Sequence, residues 1–155
     1  MAARSAGVVV FRRRPSGLEF LIVHPGGPLW ARKDDGAWSI PKGEYAERED
    51  PRQVAVRELE EETGLCADGE LVPLQPVRQR SGKVVTAWGL EADWDPALLR
   101  SNTFRMEWPP RSGRIAEFPE VDRAAWVTLE RARVKLNPAQ LPLLEELSAK
   151  LAEAT

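Results

Sequence analysis

Apolar positions recur along this chain with two periods, and the change from one to the other marks out its elements. Residues 7–11 and 18–23 are β-branched, apolar runs separated by three arginines, Pro15 and the turn pair Ser16-Gly17, which predicts a β-hairpin. Residues 24–36 hold Pro25, Gly26, Gly27, Pro28 and the polar Lys33-Asp34-Asp35-Gly36, loop chemistry around Trp30, and a short strand is expected over residues 37–40. Asp50 as cap, Pro51 at the first helical position and Gly64 as a left-handed stop predict a helix over about residues 51–63. Residues 71–80 and 83–92 flank Ser81-Gly82 as a second hairpin, residues 93–120 read as a long irregular excursion, and residues 124–129 read as one more strand. Asn137-Pro138 repeats the cap-then-proline opening before Leu141, Leu144, Leu147 and Leu151 at helical spacing, a stripe that faces a core.

Strands surrounding two helices, without repeat or linker, imply one mixed α/β (α+β) domain over residues 1–155. The periodicity leaves open whether its strands pair parallel or antiparallel. A net charge of −2 advertises neither a nucleic-acid nor a membrane partner, so an anionic ligand has to be held locally. The single cysteine, Cys66, has no internal disulfide partner, and the first apolar run is too short for a signal peptide or a membrane span; a reducing cytoplasm is expected.

The helix over residues 51–63 carries the chemistry. At about 100° per residue, Glu58, Glu61 and Glu62 fall within one arc of its surface. Ala55, Val56, Leu59 and Thr63 form a neighbouring face that can pack on a sheet and hold the acids at a cleft. Like charges at i and i+4, as in Glu58 and Glu62, oppose the helix unless something neutralises them, and a divalent cation would do so. Hard oxygen donors without cysteine or clustered histidine favour Mg2+ or Mn2+.

A run of glutamates is ordinarily just a solvated face. This one is set in a fixed frame: Gly43, Glu49, Arg57, Glu58, Leu59, Glu61, Glu62, Gly64 and Leu65 fill every defined position of the Nudix box, so residues 43–65 resemble the catalytic signature of the Nudix hydrolases. The resemblance implies a Nudix fold, a mixed β-sheet sandwiched between α-helices, and metal-dependent hydrolysis of a diphosphate linkage in a nucleotide-like substrate. It implies metal ligation by Glu58, Glu61, Glu62 and the backbone carbonyl of Lys42, with Arg57 orienting the glutamates and Glu49 pairing with it or bracing the loop. Family members differ in their general base: Glu58 is the first candidate, and Glu117 or Glu120, just before the Trp126 strand, is where a loop glutamate would act as base or further ligand. His24, the only histidine, reads as a hydrogen-bonding or substrate-edge residue.

The lead-in Trp38-Ser39-Ile40-Pro41-Lys42-Gly43 resembles that of diadenosine polyphosphate hydrolases within the family, and the wider pattern resembles a bacterial group of nucleotide pyrophosphohydrolases. Lys42 would then meet polyphosphate as a compact point charge. A dinucleoside polyphosphate is the expected substrate, with a nucleoside triphosphate pyrophosphatase as the rival enzyme and a non-catalytic nucleotide-binding regulator as the rival from another class. An isopentenyl diphosphate isomerase is disfavoured, since Cys66 gives it no support. Trp30, Trp88 and Trp108 are candidates to stack on a base, and Arg78, Arg80, Lys83, Arg105, Arg111 and Arg114 are unassigned basic residues.

Overall fold

In a computed structural model, which describes residues 3–154, the chain forms nine strands and three α-helices. In order these are β1 (Arg4–Arg14), β2 (Gly17–Pro25), β3 (Lys42–Glu44), α1 (Pro51–Thr63), β4 (Val72–Pro73), β5 (Val77–Arg78), β6 (Val84–Glu91), β7 (Thr103–Glu107), β8 (Ile115–Pro119), β9 (Val121–Val127), α2 (Leu129–Lys135) and α3 (Leu141–Glu153).

The main sheet runs β4-β6-β1-β2-β9, with β3 added on β1 and β5 on β6. Only β1 and β6 pair parallel, and every other neighbour is antiparallel. β1 is central and covered on both faces, which is why its sequence is a continuous apolar run rather than an alternating one. Ala6, Val8 and Val10 join Leu21, Val54, Ala55, Leu59 and Leu90 beneath α1. Val9 and Phe11 join Phe20, Ile22, Ala132, Leu143, Leu144 and Leu147 beneath α2 and α3. The result is the mixed sheet between helices that the sequence implied.

Several boundaries move. Residues 37–40 make isolated bridges, Val23 with Ser39 and Trp38 with Leu136, and the strand proper is β3, two residues further on. The second hairpin is broken into β4 and β5, with Pro73 and Pro76, which have no N–H to donate to a ladder, in the interrupted stretch. Residues 93–120 are not wholly irregular: β7 and β8 form a separate two-stranded sheet with Phe104 opposite Phe118 and Met106 opposite Ala116. α2 was not expected. Asn137 caps a 3-10 turn, Pro138–Gln140, rather than α3 itself, because its side chain reaches only the N–H of Ala139. Among the described residues, no helix is long and apolar enough to cross a membrane.

Candidate active site

The site begins where β1 meets β3. Val8 N–H donates to the Pro41 carbonyl and Tyr45 N–H to the Arg4 carbonyl, so residue 42 falls between bonded positions, with its N–H and C=O turned away from β1. The Lys42 N–H points instead to Glu62 Oε1, at 3.3 Å. Gly7 makes this pairing possible, since a side chain there would collide with Pro41 and Lys42.

α1 starts at Asp50, whose carboxylate accepts from Arg52 N–H, and stops at Gly64 with φ of 87°. Val54, Ala55, Leu59 and Thr63 are its buried face, with Val56 only half-buried. The glutamates flank that face on the side toward β3, and the Glu58 carboxyl group rests against Gly43 so closely that any Cβ on residue 43 would overlap it. Glu58 is consequently 13% exposed.

Arg57 gathers the acids. Its guanidinium lies 3.1 Å from Glu49, 3.7 Å from Glu61 and 4.0 Å from Glu58. Glu49 uses its other oxygen to accept from Ala46 N–H, so it both pairs with Arg57 and braces the loop. The Ala46 N–H, followed by Arg57, holds the Glu49 carboxyl below the usual carboxylate range. Burial, then the Glu61 charge, pushes Glu58 up. Burial pushes Glu62 up to about 8 despite the Lys42 N–H, and burial pulls the Lys42 ammonium down.

Glu120, between β8 and β9, reaches the same place through backbone links. Asn102 N–H donates to the Glu61 carbonyl, Glu120 N–H to the Asn102 carbonyl and Gly26 N–H to the Glu120 carbonyl, all within 2.8–2.9 Å. A bulge in the β2–β9 pairing at His24/Pro25 accompanies this turn. Glu120 lines a cavity of about 170 Å3 with Val23, Pro25, Ser39, Lys42, Glu62 and Val121. Burial, then Glu61, raises its carboxyl pKa. Glu117 is not brought there: it projects from the exposed face of β8 toward Arg105, at 3.6 Å.

His24 is fully buried. Its Nε2–H donates to the Lys33 carbonyl at 2.7 Å, and Nδ1 lies 2.8 Å from Asp122. Trp88 is half-buried against the α1-side core, and Trp108 sits at the base of the β7–β8 turn, its N–H donating to the Arg114 carbonyl, and is joined to Pro109 by a cis peptide bond. Of the basic residues, Lys83 pairs with Glu44 at the rim of β3. Cys66 is exposed, and a hydrogen bond to Glu60 pushes its thiol up, the reverse of what activates a nucleophile. Asn102, which links Glu61 to Glu120, escaped the sequence reading because nothing local marks a residue whose contribution is made by its backbone.

Among the described residues, no three acidic, histidine or cysteine side chains enclose a ready-made metal cage. The acids form an open face instead. That suits a hard cation which keeps several waters and takes the rest of its shell from substrate phosphate.

The model of the NUDIX domain matches residues 1–147. An RNA pyrophosphohydrolase of Saccharophagus degradans is 44% identical over 103 residues, covering 57% of this chain and 59% of that protein. The asymmetrical bis(5'-nucleosyl)-tetraphosphatase of Sus scrofa is 34% identical over 94 residues, covering 57% and 58%. The matches thus span less than two thirds of either curated relative. A Caenorhabditis elegans Ap4A hydrolase in a binary complex superposes with a TM-score of 0.67 at 24% identity, covering 98% of this chain and 99% of that one, a likeness of fold.

Proposed function

This chain belongs to the Nudix family and is a Nudix hydrolase, and from that premise we propose that it cleaves a diphosphate linkage in a dinucleoside polyphosphate, using Mg2+ or Mn2+. The observation that carries the reading is the convergence of Glu62, Glu120 and Lys42 on one cavity at the foot of the carboxylate helix. Anions and a cation packed together without mutual neutralisation are poised for a ligand that brings both signs of charge, as a metal polyphosphate does.

The proposed metal ligands are Glu58, Glu61, Glu62 and the Lys42 carbonyl. The donors fit a hard divalent ion: all are oxygens, burial raises the pKa of Glu58 and Glu62, and the Lys42 carbonyl turns away from β1. When bound, such an ion neutralises phosphate oxygens and lowers the pKa of a coordinated water. The chain's own residues supply the rest. Arg57 keeps Glu58 and Glu61 oriented, and Gly43 fixes where the Glu58 carboxyl can lie. Glu58 is proposed as general base, within reach of a proton leaving the attacking water, with Glu120 as the second candidate. Lys42 would pair with phosphate oxygens at the floor of the cleft, where its desolvated ammonium has no full counter-charge. A cytoplasmic location, supported by the lone exposed cysteine, belongs to the same reading.

The likeness to an RNA pyrophosphohydrolase favours a second reading, in which the substrate is the 5'-phosphorylated end of an RNA. A panel of diadenosine tetraphosphate, nucleoside triphosphates, ADP-ribose and a 5'-triphosphorylated oligonucleotide, with products identified by chromatography, separates the possibilities. Preferential conversion of the tetraphosphate to ATP and AMP is expected. Turnover of the oligonucleotide or of nucleoside triphosphates at a much higher kcat/KM would displace the proposal.

A further inference from the structure

The segment leading into Lys42 is held from two sides. Ser39 exchanges two backbone hydrogen bonds with Val23 of β2, at 2.8 and 2.9 Å, and Trp38 faces the other way. Trp38 N–H donates to the Lys135 carbonyl and the Trp38 carbonyl accepts from Asn137 N–H, the pattern of a parallel pair between residues 38 and 136. Continued by two residues, that pattern would send the Ile40 N–H to the Asn137 carbonyl. That carbonyl is instead taken by Gln140 N–H at 2.9 Å, because Pro138–Gln140 turns away as a 3-10 helix.

The ladder thus stops one bond short, and Ile40, 1% exposed, would keep a buried N–H without an acceptor. The Gln140 side chain makes up the missing bond. It is fully buried, and its Oε1 accepts from Ile40 N–H at 2.9 Å. That bond fixes which way the side-chain amide is turned, since a backbone N–H can only donate. Nε2 then donates to Ser39 Oγ at 3.1 Å and to Gln79 Oε1 at 2.8 Å. Ser39 Oγ in turn donates to the Ile40 carbonyl at 2.7 Å. Both polar groups of Ile40 are therefore tied to a glutamine that lies 100 residues further along the chain.

Pro41 comes next and has no N–H. Its place depends on the Ile40 carbonyl before it and on its own carbonyl, which accepts from Val8 N–H at 3.1 Å. Lys42 follows, turned away from β1, with its N–H directed at Glu62 over 3.3 Å. We propose that Gln140 is a positioning residue for the metal site: through Ile40 and Ser39 it fixes the Pro41–Lys42 backbone, and so where the Lys42 carbonyl stands relative to Glu58 and Glu62. The proposal rests on the reading above, in which that carbonyl ligates a divalent ion. Gln140 acts from the turn before α3, with the backbone of residues 39–41 between itself and Lys42.

Mn2+ binding to the full chain, followed without substrate by the electron paramagnetic resonance signal of the free ion, tests this. Gln140→Met keeps the length of the side chain and loses its hydrogen bonds, and it should weaken Mn2+ by about tenfold or more, as loss of a group that orients a ligand does. Ser39→Ala, which frees the Ile40 carbonyl and leaves the Ile40 N–H bonded, should weaken it less. Leu147→Ala, whose lost side chain packs over Gly89 of β6, should lower the melting temperature and bind Mn2+ as wild type does. Wild-type affinity in Gln140→Met, or an equal loss in Leu147→Ala, overturns the proposal. Should Gln140→Met not fold, Ser39→Ala against Leu147→Ala decides it in the same way. If wild type binds no Mn2+, the metal reading fails and takes the proposal with it; if wild type binds Mn2+ and Gln140 has no effect, the proposal fails alone.

Discussion

The carboxyl group of Glu58 occupies the space that a side chain on Gly43 would need. Gly43 is not among the residues with positive φ, so its requirement is one of close approach rather than of backbone conformation. Gly43→Ala should leave the fold intact but drive Glu58 off β3. We expect kcat to fall by about a hundredfold or more, the scale of a misplaced general base, with an unchanged far-ultraviolet circular dichroism spectrum. Near-wild-type turnover would mean that the Glu58 position is immaterial.

Glu62 should trade stability for function. With a folded pKa of about 8 against an ordinary value of 4.5, the folded state holds a proton that the unfolded state releases. Folding stability from this group is thus full below about pH 4.5 and is lost as pH rises toward 8. In chelator at about pH 8, Glu62→Gln should melt higher than wild type, by about 5 °C, and the gain should vanish near pH 4. The same variant should lose more than about tenfold in activity if Glu62 is the charged ligand proposed above. A variant that melts lower at pH 8 would contradict the buried, uncompensated carboxylate.

Glu120 and Glu117 stand three residues apart in sequence but on different surfaces. Glu120→Gln should lower kcat by about tenfold or more, as loss of a base or ligand does. Glu117→Gln, which breaks only an exposed pair with Arg105, should stay within about twofold in rate and about 0.5 kcal/mol in stability. Parallel steady-state kinetics on the two variants decide it, and equal effects would remove Glu120 from the site.

Lys42→Met should impair diadenosine tetraphosphate more than ADP-ribose or a nucleoside triphosphate. A longer phosphate chain has more oxygens beyond those that a metal engages, and Lys42 lies where it can meet them. At constant free Mg2+, kcat/KM for the tetraphosphate should drop roughly five- to thirtyfold, about 1–2 kcal/mol. Uniform loss on all three substrates would leave Lys42 without a part in selecting chain length.

By itself the sequence determined the helix α1, down to its cap at Asp50 and its left-handed stop at Gly64, because capping and helical periodicity are local properties read within a few residues. It determined the family as well, since the spacing from Gly43 to Leu65 is a one-dimensional pattern. It chose α1 as the acidic element, although Val54 rather than Val56 completes the buried face, a shift within the width of an amphipathic arc. Only the tertiary structure separated Glu120 from Glu117, because that depends on the carbonyls of Glu61 and Asn102, groups that every residue carries and no sequence distinguishes. It alone showed β7 and β8, whose alternating apolar residues lie in a stretch dominated by turn formers, and joined Phe104 to Gly27 across more than seventy residues. It also gave His24, read from sequence as a hydrogen-bonding or substrate-edge residue, its hydrogen-bonding partners, since those come from distant parts of the chain.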